Sequence, residues 1–397
     1  MASRRPLHVI LFTIFLDLLG FGLVIPLLPF FAKDLGASGL EVGLLMTAYS
    51  GMQFLFSPIW GRISDRVGRR PVLLLSIAAN AVAMLLFAAS TSLPLVFLAR
   101  AFAGMANANI GTAQAYVADV LSGEDRARGM GLVGAAIGMG FVLGPAIGGA
   151  LAPIGRAAPA LAAAALSGLN FALAFLFLPE SLPPSARDEA RRRRSSRLRT
   201  FVEALDHPLL PLLFLLFFLL TTAFAQMEAT FALFTNARFG FGTAENGYLM
   251  GFIGVALAVA QGGLVGPLRR RMSEAAMLLG GTVLLAAGLL FLSAAHTVPG
   301  LMAACGVLAF GHGISSPALS SLVSRQAPEH AQGQVLGVNQ SMASLARVVG
   351  PAIGGLAFDH GGEIAPFLSA AALVGLGCAV AFRVFRRRHI AHRPVAL

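Results

Sequence analysis

Charge is scarce in this chain. Lys, Arg, Asp and Glu supply 12% of its 397 residues against about 25% in an ordinary soluble domain, while 57% are apolar and the mean hydropathy is +0.78. That balance excludes a soluble globule. Cysteine is nearly missing as well: Cys305 and Cys378 both lie inside apolar runs, where a thiol acts as a small buried hydrophobe. Two such residues provide neither a disulfide framework nor a metal-binding spacing, so no metal is expected. The chain also lacks a Walker sequence, a His-Glu-x-x-His pair and a nucleophile elbow, so ATP-driven work and enzyme catalysis are not expected. Lysine occurs once, at Lys33, and the other basic residues are arginines; with many Ala and Gly this suits a GC-rich bacterial genome.

What the chain does have is length in its apolar runs. A membrane-crossing helix needs about 20 mostly apolar residues. Twelve such runs stand at approximately 8–31, 41–60, 72–92, 94–118, 129–152, 158–178, 209–235, 245–267, 273–294, 299–322, 334–357 and 364–385. Lipid offers no partner to an open sheet edge and the runs lack barrel-strand alternation, so an all-α integral membrane protein is predicted. The first run is not read as a signal peptide, because Asp17 interrupts its centre and no small-residue cleavage site follows. A net charge of +11 invites a nucleic-acid partner. With the N-terminus inside, however, 24 of the 29 basic residues fall at cytoplasmic ends; Lys33, Arg156 and Arg238 fall outside, and Arg100 and Arg347 lie within spans. This positive-inside asymmetry predicts a multi-pass protein of the bacterial cytoplasmic membrane with both termini inside, in contact with lipid and without nucleic acid.

Gly-Pro-Ala-Ile-Gly-Gly occurs at 144–149 and again at 350–355, an offset of 206; Leu35–Met46 lines up with Phe239–Met250 at an offset of 204. The repeat predicts two pseudo-symmetric six-helix halves, 1–180 and 209–397, joined by a basic linker at 181–208. The linker, with Pro183-Pro184 and Arg191 to Arg194, reads as a solvated tether attracted to anionic headgroups, or else as a regulatory element. A basic cytoplasmic tail, Arg383 to Arg393, closes the second half.

Between the second and third runs stands Gly61-Arg62-Ile63-Ser64-Asp65-Arg66-Val67-Gly68-Arg69-Arg70-Pro71. This spacing of two glycines, one acid and several arginines resembles the signature turn of the major facilitator superfamily of secondary transporters. The resemblance implies twelve helices in two parallel repeats around a central site. It also implies a conformational latch made by Gly61, Asp65, Arg66, Gly68, Arg69 and Arg70, with Asp119 at the end of the fourth run as partner for Arg69 or Arg70. Physically, a carboxylate there holds an arginine and lies against the positive end of a helix; the plainer reading is that these charges only set topology. The matching segment of the second half, Gly266 to Glu274, has arginine in place of Asp65 and Ser273-Glu274 in place of Gly68-Arg69, which makes the first turn the specialised one.

Charges inside lipid are costly and point to function. Four stand out: Asp17, Arg100, Glu228 and Arg347. Asp17 lies about 15 Å into its run, near the midplane at about 1.5 Å per residue. Apolar surroundings favour a neutral carboxylic acid, so Asp17 is a candidate proton carrier; the alternative is a fixed ion pair, for instance with Arg100. Arg100, in Leu98-Ala99-Arg100-Ala101-Phe102-Ala103-Gly104, resembles the motif of the fourth span associated with proton coupling in exporters of the superfamily, where arginine gates a nearby carboxylate. Glu228 is a second proton- or cation-binding acid or a rim residue. Arg347 meets an acidic partner or an anionic substrate.

The fifth run carries Gly140, Gly144, Pro145, Gly148 and Gly149 at spacings that allow close helix packing. It also resembles the antiporter motif of drug-proton exchangers. Over the whole chain, with Phe15 to Gly22, the Asp65 turn, Gly144-Pro145 and Phe234 to Gly240, the sequence is similar to the drug-proton antiporter branch and in arrangement to tetracycline exporters. Those also carry an acid in span three, a histidine in span eight and an acid in span nine, where this chain is apolar near Ala83, Leu257 and Leu284. The expected activity is therefore proton-driven export of a hydrophobic or amphipathic small molecule by a monomer, with the proton gradient and no cofactor supplying energy. A symporter importing a metabolite and a nontransporting receptor are the alternatives. Candidate cavity residues are Gln53, Asn107, Asn109, Gln114, Gln226, Asn339, Gln340 and Arg347, and His312 reads as packing or as a proton relay.

Overall fold

The structure, a computed structural model, describes residues 5–121, 123–183, 209–326 and 332–391, so most of the 181–208 linker and the last six residues lie outside the described part. Every described element is helical. Twelve helices are long and apolar enough to cross a membrane: Pro6–Asp34, Gly39–Val67, Arg69–Ala88, Leu93–Val120, Arg128–Ile154, Ala158–Phe177, Leu210–Phe239, Thr243–Arg271, Glu274–Ala294, Val298–Gln326, Val335–Gly361 and Ala365–Arg386, here spans one to twelve. A helix satisfies its own backbone, which is why these apolar runs fold as they do in lipid.

Several spans are irregular. Span one breaks after Val24 and resumes at Leu28, span four breaks between Ala106 and Ile110, and span eight contains a π-helical turn at Ala260–Leu264. Pro58, Pro145, Pro317 and Pro351 lie inside spans two, five, ten and eleven, each removing one backbone hydrogen bond.

The chain divides into two compact units, Met1–Arg194 with Gly240–Phe252, and Ser195–Phe239 with Ile253–Leu397. In the first, span one packs on spans five and six, span three on four and six, and span two on four. Span seven packs on eleven and twelve, and span nine on ten and twelve, in the second. The contacts thus repeat with an increment of six spans. The core of the first unit joins Ile10, Ile14 and Leu18 of span one to Leu73 and Ile77 of span three, Tyr116 and Val117 of span four, and Val133 of span five.

Lipid gives helices little hydrophobic reason to associate, so their association rests on close backbone approach. Glycine provides it at the span-five interface. A Cβ on Gly140 would lie 2.6 Å from Leu18 Cβ, and one on Gly144 would lie 2.7 Å from Gly22 Cα, both on span one. In the second unit, Gly350 and Gly354 of span eleven press on Thr222 and Gln226 of span seven in the same way. Gly149 faces elsewhere: its Cβ would lie 2.8 Å from the Ala244 oxygen at the start of span eight. At the far end of the second unit, Arg238 donates to Glu363 at 2.8 Å and to the carbonyls of Ser293 and Ala295, fastening span seven to the ends of spans nine and twelve.

Candidate functional site

The turn between spans two and three is built around Arg69. Gly68 ends span two and starts span three at φ 120°, a conformation that L side chains rarely adopt, so the reversal needs glycine there. The reversal places Arg69 nine-tenths buried. Its Nη1 pairs with Asp65 and donates to Ser64 Oγ at 2.8 Å, and its Nε donates to Asp119 Oδ2 at 3.1 Å. One guanidinium thus ties the end of span two to the end of span four. Arg70 points away from this clamp, donating to the Phe175 carbonyl at 2.7 Å with its guanidinium over the Phe175 ring. Arg66 is exposed, and a Cβ on Gly61 would meet open space.

One member of this cluster escapes sequence reasoning. Glu180, just past span six, accepts the backbone N–H groups of Arg69 at 2.9 Å and Arg70 at 3.3 Å, capping span three. Ser181 then donates to Asp119 at 3.0 Å. The adjoining Pro-Glu-Ser is the local signal, but its partners lie about 110 residues earlier, too far for any spacing rule.

Deeper in the first unit, Asp17 is 8% exposed. Asn170 of span six donates to its Oδ1 at 2.8 Å, and the Asn109 side chain lies within electrostatic reach of it. Asn109 lies at the break in span four, whose interruption turns a polar side chain toward span one. Among the described residues Asp17 and Arg100 form no ion pair. Arg100 is 4% exposed, with its guanidinium 4.6 Å from the centre of the Tyr49 ring and 6.0 Å from that of Phe21, and its Nε has no hydrogen-bond partner. Gly104, one turn along, explains the placement: its missing side chain lets span four touch the Tyr49 backbone on span two. Phe141 of span five closes on Phe21 edge-on, with ring centres 5.8 Å apart.

The other polar candidates sort by what they touch. Gln53 donates to the Asn107 carbonyl at 3.1 Å, Asn107 to Asn80 at 2.7 Å, and Asn80 to Ser167 at 3.0 Å, a chain that joins spans two, four, three and six. These are interhelical ties, each worth about 0.6 kcal/mol in a bilayer. Gln226 is buried and donates to the Pro366 carbonyl at 2.8 Å and to Ser369, which joins span seven to span twelve. Gln114 and Gln340 are exposed, and Asn339 is 6% exposed with a buried, unpartnered Oδ1. In the second unit Glu228 and Phe224 share the half-buried face of span seven; Arg347 of span eleven lies within electrostatic reach of Glu228, and His312 of span ten stacks on Phe224 at 4.2 Å.

Twelve spans in two repeated halves, with a buried acid, a buried arginine and a charged turn, define a secondary membrane transporter. Comparison with known proteins gives the family. The family model for the Major Facilitator Superfamily matches residues 10–351 and 264–396, and the chain belongs to that superfamily. It is 35% identical to the class C tetracycline resistance protein of Escherichia coli over 89% of each chain. It is 30% identical to multidrug resistance protein 2 of Bacillus subtilis (strain 168), covering 94% of both. Among solved structures, the human organic anion transporter MFSD10 matches with a TM-score of 0.69 at 28% identity, over 96% of this chain and 100% of that one.

Proposed function

We propose that this protein is a drug-proton antiporter of a bacterial cytoplasmic membrane, with both termini inside, that exports a hydrophobic or amphipathic small molecule as a monomer. The observation that carries the reading is Asp17. A carboxyl group inside a span, hydrogen-bonded to an amide and in no ion pair among the described residues, is costly to keep in lipid and marks a functional group, which we assign as the proton carrier. Such a group takes up a proton on one side of the membrane and releases it on the other as access alternates. Arg100 is held by aromatic faces rather than by Asp17, one of them that of Phe21, one turn of span one beyond Asp17; an arginine does not give up its own proton. The tetracycline and multidrug resistance relatives support the export direction. The apolar positions near Ala83, Leu257 and Leu284 favour a compound bound through rings and methylenes over a metal chelate.

The test uses purified protein in proteoliposomes with an imposed pH gradient and a panel of amphipathic drugs. A transported compound should drive protons in the opposite direction. Uptake of substrate together with protons would overturn the reading and make the protein a symporter.

A further inference from the structure

The second unit contains the clamp of the first with its charges exchanged. In the first unit a central cation, Arg69, stands at the start of span three between two anionic arms, Asp65 on span two and Asp119 on span four. In the second, a central anion, Glu274, stands at the start of span nine between two cationic arms. Arg269 on span eight reaches its Oε1 at 3.0 Å, and Arg325 on span ten lies 3.4 Å from its Oε2. The offsets are 204, 205 and 206 residues, within the range of 204 to 206 that the internal repeat spans. Each clamp also holds a serine, carried by a different span: Ser64 of span two accepts from Arg69, whereas Ser321 of span ten donates to Glu274 at 2.6 Å. Three coincidences of place with three reversals of sign argue that the arrangement is retained, not accidental.

The mechanics are also shared. Each central charge is nine-tenths buried on a regular helix, Arg69–Ala88 or Glu274–Ala294. Each arm sits on a helix with a built-in flexion point: Pro58 in span two, the Ala106–Ile110 break in span four, the π-helical turn in span eight and Pro317 in span ten. Irregular turns of this kind are where helices bend. The second clamp is moreover incompletely closed. Glu274 Oε2 is buried without a hydrogen bond, and beside it lies a void of about 30 Å³ lined by Val265, Met277, Pro317 and Ala318. The arms are open to solvent, at 49% for Arg269 and 60% for Arg325. A fixed buried anion with two exposed arms on bendable helices is the layout of a contact that opens and closes.

We propose that Glu274 is a second switch of the transport cycle, a positioning residue that holds the ends of spans eight and ten against span nine in one state and frees them in the other. This rests on the transporter reading above. The experiment uses the full chain with Cys305 and Cys378 replaced and Ala318→Cys as a reporter of the void. Its labelling by a small maleimide is followed together with melting temperature and with ethidium and tetracycline transport in proteoliposomes. Glu274→Gln should label about tenfold faster, with a melting temperature within about 3 °C of the parent and transport slowed about fivefold or more. Exchanging the signs (Glu274→Arg with Arg269→Glu and Arg325→Glu) should restore slow labelling and transport. Unchanged labelling overturns the proposal. So does faster labelling accompanied by a large fall in melting temperature and normal transport, since that is a structural anchor. If the parent moves neither compound, the exporter reading fails for those compounds alone, and the labelling ratio together with its rescue still decides whether Glu274 is a clamp that opens.

Discussion

Asp17 sits among Asn109 and Asn170, but the matching residue of the second half, 204 positions on, is Thr221. The acid of span seven, Glu228, stands two turns further along, and Arg347, in electrostatic reach of it, occupies the position that Phe141 fills in the first half. Likewise Arg100 is matched by Gly306. Against this, Gly144 and Gly148 match Gly350 and Gly354, and both pairs press their span onto its neighbour. The halves therefore share backbone packing and differ in chemistry. Close approach of two helices leaves room only for hydrogen, so glycine is retained in both copies, whereas a polar group in lipid is kept only where it has a task.

The largest effect expected from this division separates the two acids. Asp17→Asn retains an acceptor for Asn170 and should fold, yet accumulation of substrate against a gradient should fall by about 100-fold or more while downhill exchange persists. Glu228→Gln should affect affinity more than coupling. Uphill transport and exchange measured on both variants sharpen the comparison; retained uphill transport in Asp17→Asn breaks it. If Asp17 were instead a structural anchor, the variant would lose binding and melt earlier together.

The second test concerns the shared packing. A Cβ on Gly148 would collide with the Leu23 carbonyl, a backbone atom that moves only if spans one and five part. At the matching Gly354 the nearest atom, at 2.8 Å, is Gln226 Cγ, a side-chain atom that shifts more readily. Gly148→Ala should therefore destabilise by about 1–3 kcal/mol and Gly354→Ala by less. Thermal melting in detergent reads both; equal losses would show that the halves pack with equal rigidity.

How far the sequence itself shows this molecule follows from the length over which each cause acts. A span is announced by about 20 consecutive residues, so the twelve helices and their repeat are readable. The signature turn is likewise local, and so is the pair Asp65 and Arg69. Asp119 could be named only through the family resemblance. The partners of Asp17 were out of reach, because Asn170 lies 153 residues away and Asn109 faces Asp17 only where span four breaks. The Glu274 clamp was hidden for the same reason, its arms being carried by two other spans. One signal was nevertheless present: the repeat offset grows from 204 to 206 along the half, and the first extra residue enters between Arg269 and Glu274, inside the second clamp.

The latch prediction is smaller. Asp65 is 44% exposed and one of two acids on Arg69, so Asp65→Asn leaves Asp119 in place. Expression and orientation should be normal and turnover about fivefold slower, through a shift of the conformational equilibrium. The check is the transport rate together with accessibility of cysteine probes on the side bearing the turn; parental values for both would leave topology as the sole role of these charges.

The smallest effect is expected at Glu180. Its Oε1 accepts the N–H of Arg69 at 2.9 Å, Ser181 at 3.0 Å and Leu182 at 3.0 Å, and its Oε2 accepts that of Arg70. A carboxylate so placed does two things at once: it satisfies donors that the start of span three leaves open, and it meets the positive end of that helix. Span nine does this differently, with Ser273 as its cap and Glu274 turned to the arginines. Because Glu180 is exposed and screened, Glu180→Ala should lower stability by about 0.5–1 kcal/mol, the range of a helix cap. Glu180→Gln, which keeps an acceptor without the charge, should recover about half of it. Recovery in full by Gln would assign the contact to hydrogen bonding alone, and a loss in Gln as large as in Ala would assign it to charge, making Glu180 an electrostatic member of the Arg69 clamp.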